Sequence, residues 1–181
     1  MSWRTESSRS VYENRWIAVR EDGVSGPAGA GIYGVVRMQH PAVFVVAVDT
    51  HDRVCLVALE RYPTGTRSIE VPAGGTDGES PREAAERELR EETGLRAGEL
   101  TEIGFMYALN GIADAPEHVF LATGLEPVPG ADATDRHEEG IDEVSWVPFP
   151  EVLGMIRDRQ ITDGETIAAL MFAAIHLGRV S

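Results

Sequence analysis

Apolar residues fall in short dense runs broken by polar or glycine-rich stretches. Pro41 to Val48 holds the uninterrupted run Ala42-Val43-Phe44-Val45-Val46-Ala47-Val48. Asp49-Thr50-His51-Asp52 follows as a turn, and Val54 to Leu59 is a second run, so the two predict a hairpin of central strands. Nearer the start, Val11 to Arg20 contains Trp16-Ile17-Ala18-Val19, and Gly31 to Met38 contains Ile32-Tyr33-Gly34-Val35-Val36. Both read as short strands, separated by a turn or loop over Gly23 to Gly31, while residues 1–10 are polar and predicted to be loose. Glu102 to Leu109 and Glu117 to Thr123 predict two more strands. Gly124 to Gly140 is polar and reads as a loop. Val144 to Val147 predicts a last strand, stopped by Pro148-Phe149-Pro150, before a short helix over Glu151 to Arg159. Thr162-Asp163-Gly164-Glu165 offers a capping box to a final helix. There Ile167, Leu170, Met171, Ala174 and Ile175 form one apolar stripe for packing on the sheet.

Between the strands lies a stretch of another kind, Gly74 to Leu95, which reads as a loop and then a helix. Gly74, Gly75, Asp77 and Gly78 let the backbone turn sharply and let a ligand come close. Ser80 can cap, Pro81 fits the first helical position, and Glu83 stands where a capping-box acid reaches back. Gly94 is placed to end the helix in a left-handed turn. Along it, Glu88, Glu91 and Glu92 recur at i, i+3 and i+4, so three carboxylates share one face. On an open helix each like-charge i,i+4 pair costs roughly a few tenths of a kcal/mol. Arg87 and Arg90 point elsewhere on the wheel and relieve this only in part. A hard divalent cation relieves it better, and carboxylate oxygens suit Mg²⁺ or Mn²⁺. The plain alternative is a solvated acidic face.

The spacing decides between them. Glu79, seven residues, then Arg87-Glu88-Leu89-Arg90-Glu91-Glu92-Thr93-Gly94-Leu95 resembles the Nudix box at every specified position from Glu79 onward. The family's leading glycine falls at Ala73 here, and Gly74 stands one place later, so the loop is one residue shorter. The resemblance implies a Nudix fold, an α/β/α sandwich with a mixed sheet, plus a small N-terminal β-sheet. It implies that Glu88, Glu91 and Glu92 hold divalent ions, with the backbone carbonyl of Ala73 as a further ligand. It also implies that Glu79 pairs with Arg87 to hold loop to helix.

Weaker likeness extends the reading to the ADP-ribose pyrophosphatase-like branch. Glu70-Val71-Pro72-Ala73-Gly74 resembles that branch's approach to the box, and Arg61 its substrate-contacting arginine. Arginine suits the task because its planar fork grips phosphate oxygens in pairs. Glu70 is a candidate for ordering the site or touching ligand. Asn110 stands where the branch commonly has a proline. His118, on a strand among apolar neighbours, reads as structural. Branch members exchange an N-terminal sheet across a homodimer, and the same is expected here. Trp16 is either core, as buried aromatics commonly are, or a base-stacking platform for substrate. The branch takes its general base from a loop after the box. Glu138 has the matching offset before Val144, Glu139 comes second, and a box glutamate such as Glu92 is the remaining candidate. The implied reaction is attack of water on the diphosphate of a nucleoside diphosphate derivative. ADP-ribose leads as substrate, a nucleotide sugar such as GDP-mannose follows, and a binding module without hydrolysis is the alternative of another class.

Composition adds boundaries. A length of 181 residues suits one domain, residues 41–181, with an N-terminal strand region at 1–40. A net charge of −14 argues against nucleic acid and anionic membranes as partners, though not against a nucleotide neutralised by cations. Cys55 is the single cysteine, sits in an apolar run and is expected to be buried and inert. No segment resembles a signal peptide or a membrane span, so the cytoplasm is the expected compartment.

Overall fold

The computed structural model describes residues 2–130 and 140–180. In chain order its elements are β1 (Arg4–Glu13), β2 (Ile17–Gly26), β3 (Gly29–Met38), β4 (Ala42–Ala47), β5 (Arg53–Arg61), β6 (Thr66–Glu70) and β7 (Ala73–Gly75). Then come α1 (Pro81–Thr93), β8 (Leu95–Arg96), β9 (Glu99–Tyr107), β10 (Ala113–Asp114), β11 (Pro116–Thr123), β12 (Glu126–Pro127) and β13 (Ile141–Pro148). Helices α2 (Phe149–Arg157) and α3 (Gly164–His176) close the chain. The contacts divide it into one unit of Met1–Pro41 with Met106–Glu117, and a second of Ala42–Phe105 with His118–Ser181.

In the first unit β1, β2 and β3 form an antiparallel meander, with β10 added parallel to β3. Two expectations change here. Residues 4–10 are not loose but lie within β1. Every residue of β1 is exposed, so no apolar signal marked it. Polar pairs tie it to β2: Arg9 Nη2 donates to Glu21 Oε1 at 2.9 Å and Ser25 Oγ to Glu6 Oε1 at 2.7 Å. The glycine-rich stretch is not a loop either. The β2–β3 ladder runs on to the pair Gly26 and Gly29, leaving Pro27-Ala28 as the turn. Gly29 takes φ +100, which a side chain disfavours.

The second unit holds two larger sheets, ordered β7-β4-β11-β9 and β13-β5-β6. The predicted hairpin of β4 and β5 is therefore corrected: the strands belong to different sheets, joined by an isolated bridge between Val48 and Val54. Asp49 Oδ1 caps that turn, accepting from the backbone N–H of His51 and of Arg53 at 2.9 Å each. Both runs are apolar throughout, and an unalternating run specifies burial on two faces but not a neighbour. One face of β4, with Val43, Val45 and Ala47, packs against Ala84, Ala85 and Leu89 of α1, joined by Cys55, Leu100 and Phe120. Helix α3 lies against β4 as well. The result is a mixed α/β architecture with strands between helices.

The last elements refine the sequence reading. Helix α2 begins at Phe149, two residues before the expected Glu151, and Phe149 is fully buried. Asp163 caps α3, accepting from the Thr166 N–H at 2.7 Å, in place of the expected Thr162–Glu165 box. The buried side of α3 is Thr166, Ala169, Leu170, Ala173 and Ala174, while Met171 and Ile175 are exposed. Alanines allow the helix to approach closely, and this turns its contact face away from the larger side chains. Within Gly124–Gly140, Glu126–Pro127 pairs with Leu95–Arg96 as β12 on β8. Among the described residues no helix is long and apolar enough to cross a membrane.

Candidate active site

The helix start is built as its sequence predicts. Ser80 Oγ accepts from the Glu83 N–H at 3.3 Å, and Glu83 Oε2 accepts from the Ser80 N–H at 3.1 Å. The Ser80 hydroxyl donates to Glu83 Oε2 at 2.6 Å, and this bond, with that of the Ser80 N–H, holds the Glu83 carboxyl below its ordinary pKa. Gly94 ends the helix at φ 73, its N–H donating to the Arg90 carbonyl at 2.8 Å. The shortened loop closes through left-handed backbone at Asp77 (φ 48) and Gly78 (φ 93). Glu79 N–H then reaches back to the Thr76 carbonyl at 2.8 Å.

Burial of Ala84, Ala85 and Leu89 fixes which way α1 faces, and this carries Glu88 and Glu92 into the interior, each 6% exposed. Arg87 is the hub of the cluster, a correction to the expectation that it points elsewhere. Its Nε donates to Glu79 Oε2 at 2.9 Å and its Nη2 to the Gly75 carbonyl at 2.8 Å. Its Nη1 donates to Glu88 Oε1 at 2.8 Å and to Glu91 Oε2 at 3.2 Å. Burial works against this guanidinium, but Glu79, Glu88 and Glu91 outweigh it and raise its pKa above the ordinary arginine value. Arg90 also reaches the acids, its Nη2 donating to Glu91 Oε1 at 2.5 Å. So the arginines, bent back along the helix, quench much of the repulsion that the wheel suggested was left over.

The segment leading into the box binds three elements in four residues. Glu70 is buried and clamps Arg61 in two bonds, from Nε at 2.9 Å and Nη2 at 2.5 Å. Val71 N–H donates to Thr166 Oγ1 of α3 at 3.3 Å. Ala73 N–H donates to Glu92 Oε2 of α1 at 3.0 Å. The bond to Glu70 raises the Arg61 pKa against burial, and the charges of Glu70, Glu92 and Asp163 add to it. Thr166 was not singled out from the sequence. It is fully buried at the third position of α3, and the only signal was a polar residue where the stripe's rotation is set. Burial, joined by the charge of Glu165's neighbours Asp163 and Glu70, raises the Glu165 pKa.

Of the candidate metal ligands, Ala73, Glu88 and Glu92 come together. A Cβ on Gly74 would collide with the Glu88 carboxylate, so that carboxylate occupies the space a side chain would fill. Glu91 is instead shared between Arg87 and Arg90. Among the described residues no three Asp, Glu, His or Cys side chains are already gathered as a cation site. The donor set still fits a hard divalent ion: three carboxylates and a carbonyl, all oxygen, two of the acids held out of water. Trp16 is 57% exposed with the Arg15 guanidinium 4.1 Å from its ring centroid, so the core reading is overturned. Glu138 and Glu139 lie outside the described residues. His118 Nδ1 lies 2.7 Å from Glu102 Oε1 and its ring meets Phe105 edge-on at 5.1 Å, a packing arrangement. Cys55 is fully buried, and burial, with the nearby charge of Glu92, pushes its thiol up to about 12. A cleft of about 580 Å³ lies between β5, β6, β13 and α2, floored by Ala58, Ile69 and Ser145, but no box residue lines it.

With this geometry in place the comparisons are decisive. The pattern of the NUDIX domain matches residues 38–170. The chain belongs to the Nudix family. A second pattern, the nucleoside diphosphate sugar hydrolase N-terminal domain, matches residues 3–36. The chain is 33% identical to an ADP-ribose pyrophosphatase of Mycobacterium tuberculosis (strain ATCC 25618 / H37Rv), over 96% of this chain and 83% of that protein. It is 34% identical to a GDP-mannose pyrophosphatase of Yersinia enterocolitica serotype O:8 / biotype 1B (strain NCTC 13174 / 8081), over 68% of this chain and 67% of that protein. A crystal structure of an ADP compounds hydrolase shares the fold with a TM-score of 0.82 at 21% identity, covering 99% of this chain and 98% of that one. As a Nudix pyrophosphohydrolase the chain comes from a family that works with divalent metal ions.

Proposed function

We propose that the chain hydrolyses the diphosphate of ADP-ribose to AMP and ribose 5-phosphate with Mg²⁺ or Mn²⁺. One observation carries the substrate: likeness to an ADP-ribose pyrophosphatase runs over 96% of the chain, whereas likeness to a GDP-mannose pyrophosphatase runs over 68%. The second reading is accordingly a nucleotide sugar. A binding module without hydrolysis is disfavoured by the intact Glu88, Glu91 and Glu92.

In this reading Glu88, Glu91, Glu92 and the Ala73 carbonyl hold the cations. When bound, these neutralise diphosphate oxygens and acidify the attacking water. Arg61, kept in one orientation by the buried Glu70, presents its outer edge to a phosphate or to the terminal ribose. Glu138 takes the proton from water, with Glu139 second and Glu92 third. Glu138→Gln lowers kcat by about 10²- to 10⁴-fold and leaves Mn²⁺ affinity nearly unchanged. Near-wild-type turnover by that variant transfers the role to Glu139 or Glu92. The chain works as a homodimer exchanging its N-terminal sheet, supported by exposed Trp16 and Ile32 in that unit and checked by light scattering. Trp16 is then free to stack on a base. The cytoplasm is the compartment that goes with this reading.

The test is a panel of nucleoside diphosphate derivatives with Mg²⁺ and added phosphatase, read as released phosphate. ADP-ribose is expected to show the highest kcat/KM. A higher value for GDP-mannose moves the assignment to nucleotide sugars, and silence across the panel leaves the binding module.

A further inference from the structure

On the flank of α1 beyond Glu91 lies a cleft of about 390 Å³, lined by Glu86, Arg87, Arg90, Arg96 and Ala97. Three arginines and one glutamate line it, on a chain of net charge −14, and Arg87 is already committed to the box acids. The glutamate is engaged elsewhere too, since Glu86 Oε1 lies 3.2 Å from Arg82 Nε. Ala97 adds almost no bulk. Among the described residues, Arg90 uses only Nη2, toward Glu91. Arg96 puts both Nε (3.1 Å) and Nη2 (2.5 Å) on a single oxygen of Glu126. Each fork therefore keeps donors for another acceptor. The Arg96–Glu126 pair is open to water on both sides, at 66% and 62% exposure, and such pairs are weak enough to be exchanged.

We propose that Arg90 and Arg96 form a phosphate subsite in this cleft, taking the dianion of a phosphomonoester and coupled to the box through Glu91. A fork pair suits the paired oxygens of a phosphoryl group better than it suits chloride. Glu91 sets the coupling. Its two oxygens bridge Arg87 and Arg90, at 3.2 Å and 2.5 Å. Whatever draws Glu91 away leaves Arg90 short of its acceptor beside the cleft, while Arg87 keeps Glu79, Glu88 and the Gly75 carbonyl. A cation held by Glu91 would do so, and by linkage phosphate in the cleft would favour that cation in return. The inference stands on the cleft and its ion pairs, and does not require that ADP-ribose be the substrate.

The experiment is calorimetric titration of the metal-free full chain, at low ionic strength, with inorganic phosphate, then AMP, then ribose 5-phosphate. No turnover is read, so failure of the hydrolase reading and failure of the subsite are separate results. Wild type is expected to bind phosphate saturably. Arg90→Gln with Arg96→Gln weakens binding at least about tenfold, the scale for losing charge-assisted bonds. Glu91→Gln tightens it by at least about threefold, because the charge that holds the Arg90 fork is removed. Arg96→Gln alone, at an exposed ion pair, keeps the fold and weakens binding even if Arg90→Gln unfolds the chain. Tighter binding of AMP, or of ribose 5-phosphate, assigns the cleft to that product, and equal binding assigns it to the phosphoryl group alone. Unchanged phosphate affinity in the double variant or in Arg96→Gln overturns the proposal. So does chloride competing as well as phosphate, which is diffuse attraction only, or a Glu91→Gln variant that binds no better.

Discussion

The N-terminal sheet and the box helix are both written in arginine and glutamate, yet the two use them differently. In the sheet, Arg9 meets Glu21 at 2.9 Å across β1 and β2, with the pair 66% and 38% exposed. Water screens that pair, and either partner can be solvated alone. In the box, one guanidinium is shared among Glu79, Glu88, Glu91 and the Gly75 carbonyl, and Glu88 is nearly out of water. Removing a partner there leaves a buried charge unmatched. The same residue types hold strands together weakly in one place and fix a shared, half-buried network in the other. Burial and sharing make the difference, not composition.

The strongest way to break this comparison is at the buried acids. Glu88→Gln with Glu92→Gln should cost turnover about 10²-fold or more, the scale of positioned catalytic groups, and weaken Mn²⁺ binding measured by electron paramagnetic resonance. If both are unchanged, the box acids are only a charged surface. Next in size is the hub. Arg87→Ala should destabilise the metal-free chain by about 2–3 kcal/mol in urea, somewhat below the roughly 3–5 kcal/mol for breaking a fully buried pair because Arg87 keeps some exposure. Saturating Mg²⁺ should restore much of that loss, since a cation replaces the missing positive charge. A smaller effect isolates the neutral clamp. Thr166→Val keeps shape but orphans the Val71 N–H, at about 1–3 kcal/mol, and Thr166→Ser should recover it. The smallest comes from the sheet: Arg9→Ala should shift stability by less than about 0.5 kcal/mol. A loss there matching Arg87→Ala would erase the contrast.

What could be read from the chain follows the same physics. The box helix was legible to the residue, from the Ser80–Glu83 box to Gly94, because caps and spacing are local and need no partner. The Glu79–Arg87 pair was expected from the family resemblance instead. Strand β1 was not legible, since a fully exposed strand carries no apolar alternation. The runs at β4 and β5 announced burial but not the separate sheets they enter. Arg87 was misplaced because a helical wheel fixes Cβ directions, while a long side chain chooses its own end point. The rotation of α3 was missed for the opposite reason: small residues set its contact, and a search for large apolar ones passes over Ala169 and Ala173.

Cys55 adjoins this machinery without joining it. It is the chain's one thiol, sealed in the layer between β4 and α1 and within reach of the Glu92 charge. A thiol reagent can meet it only when that layer parts, so the pace of labelling clocks how often the box helix lifts from its bed. The molecule thus carries a native timer for the opening of its own interior, readable with a coloured disulfide and no engineered probe.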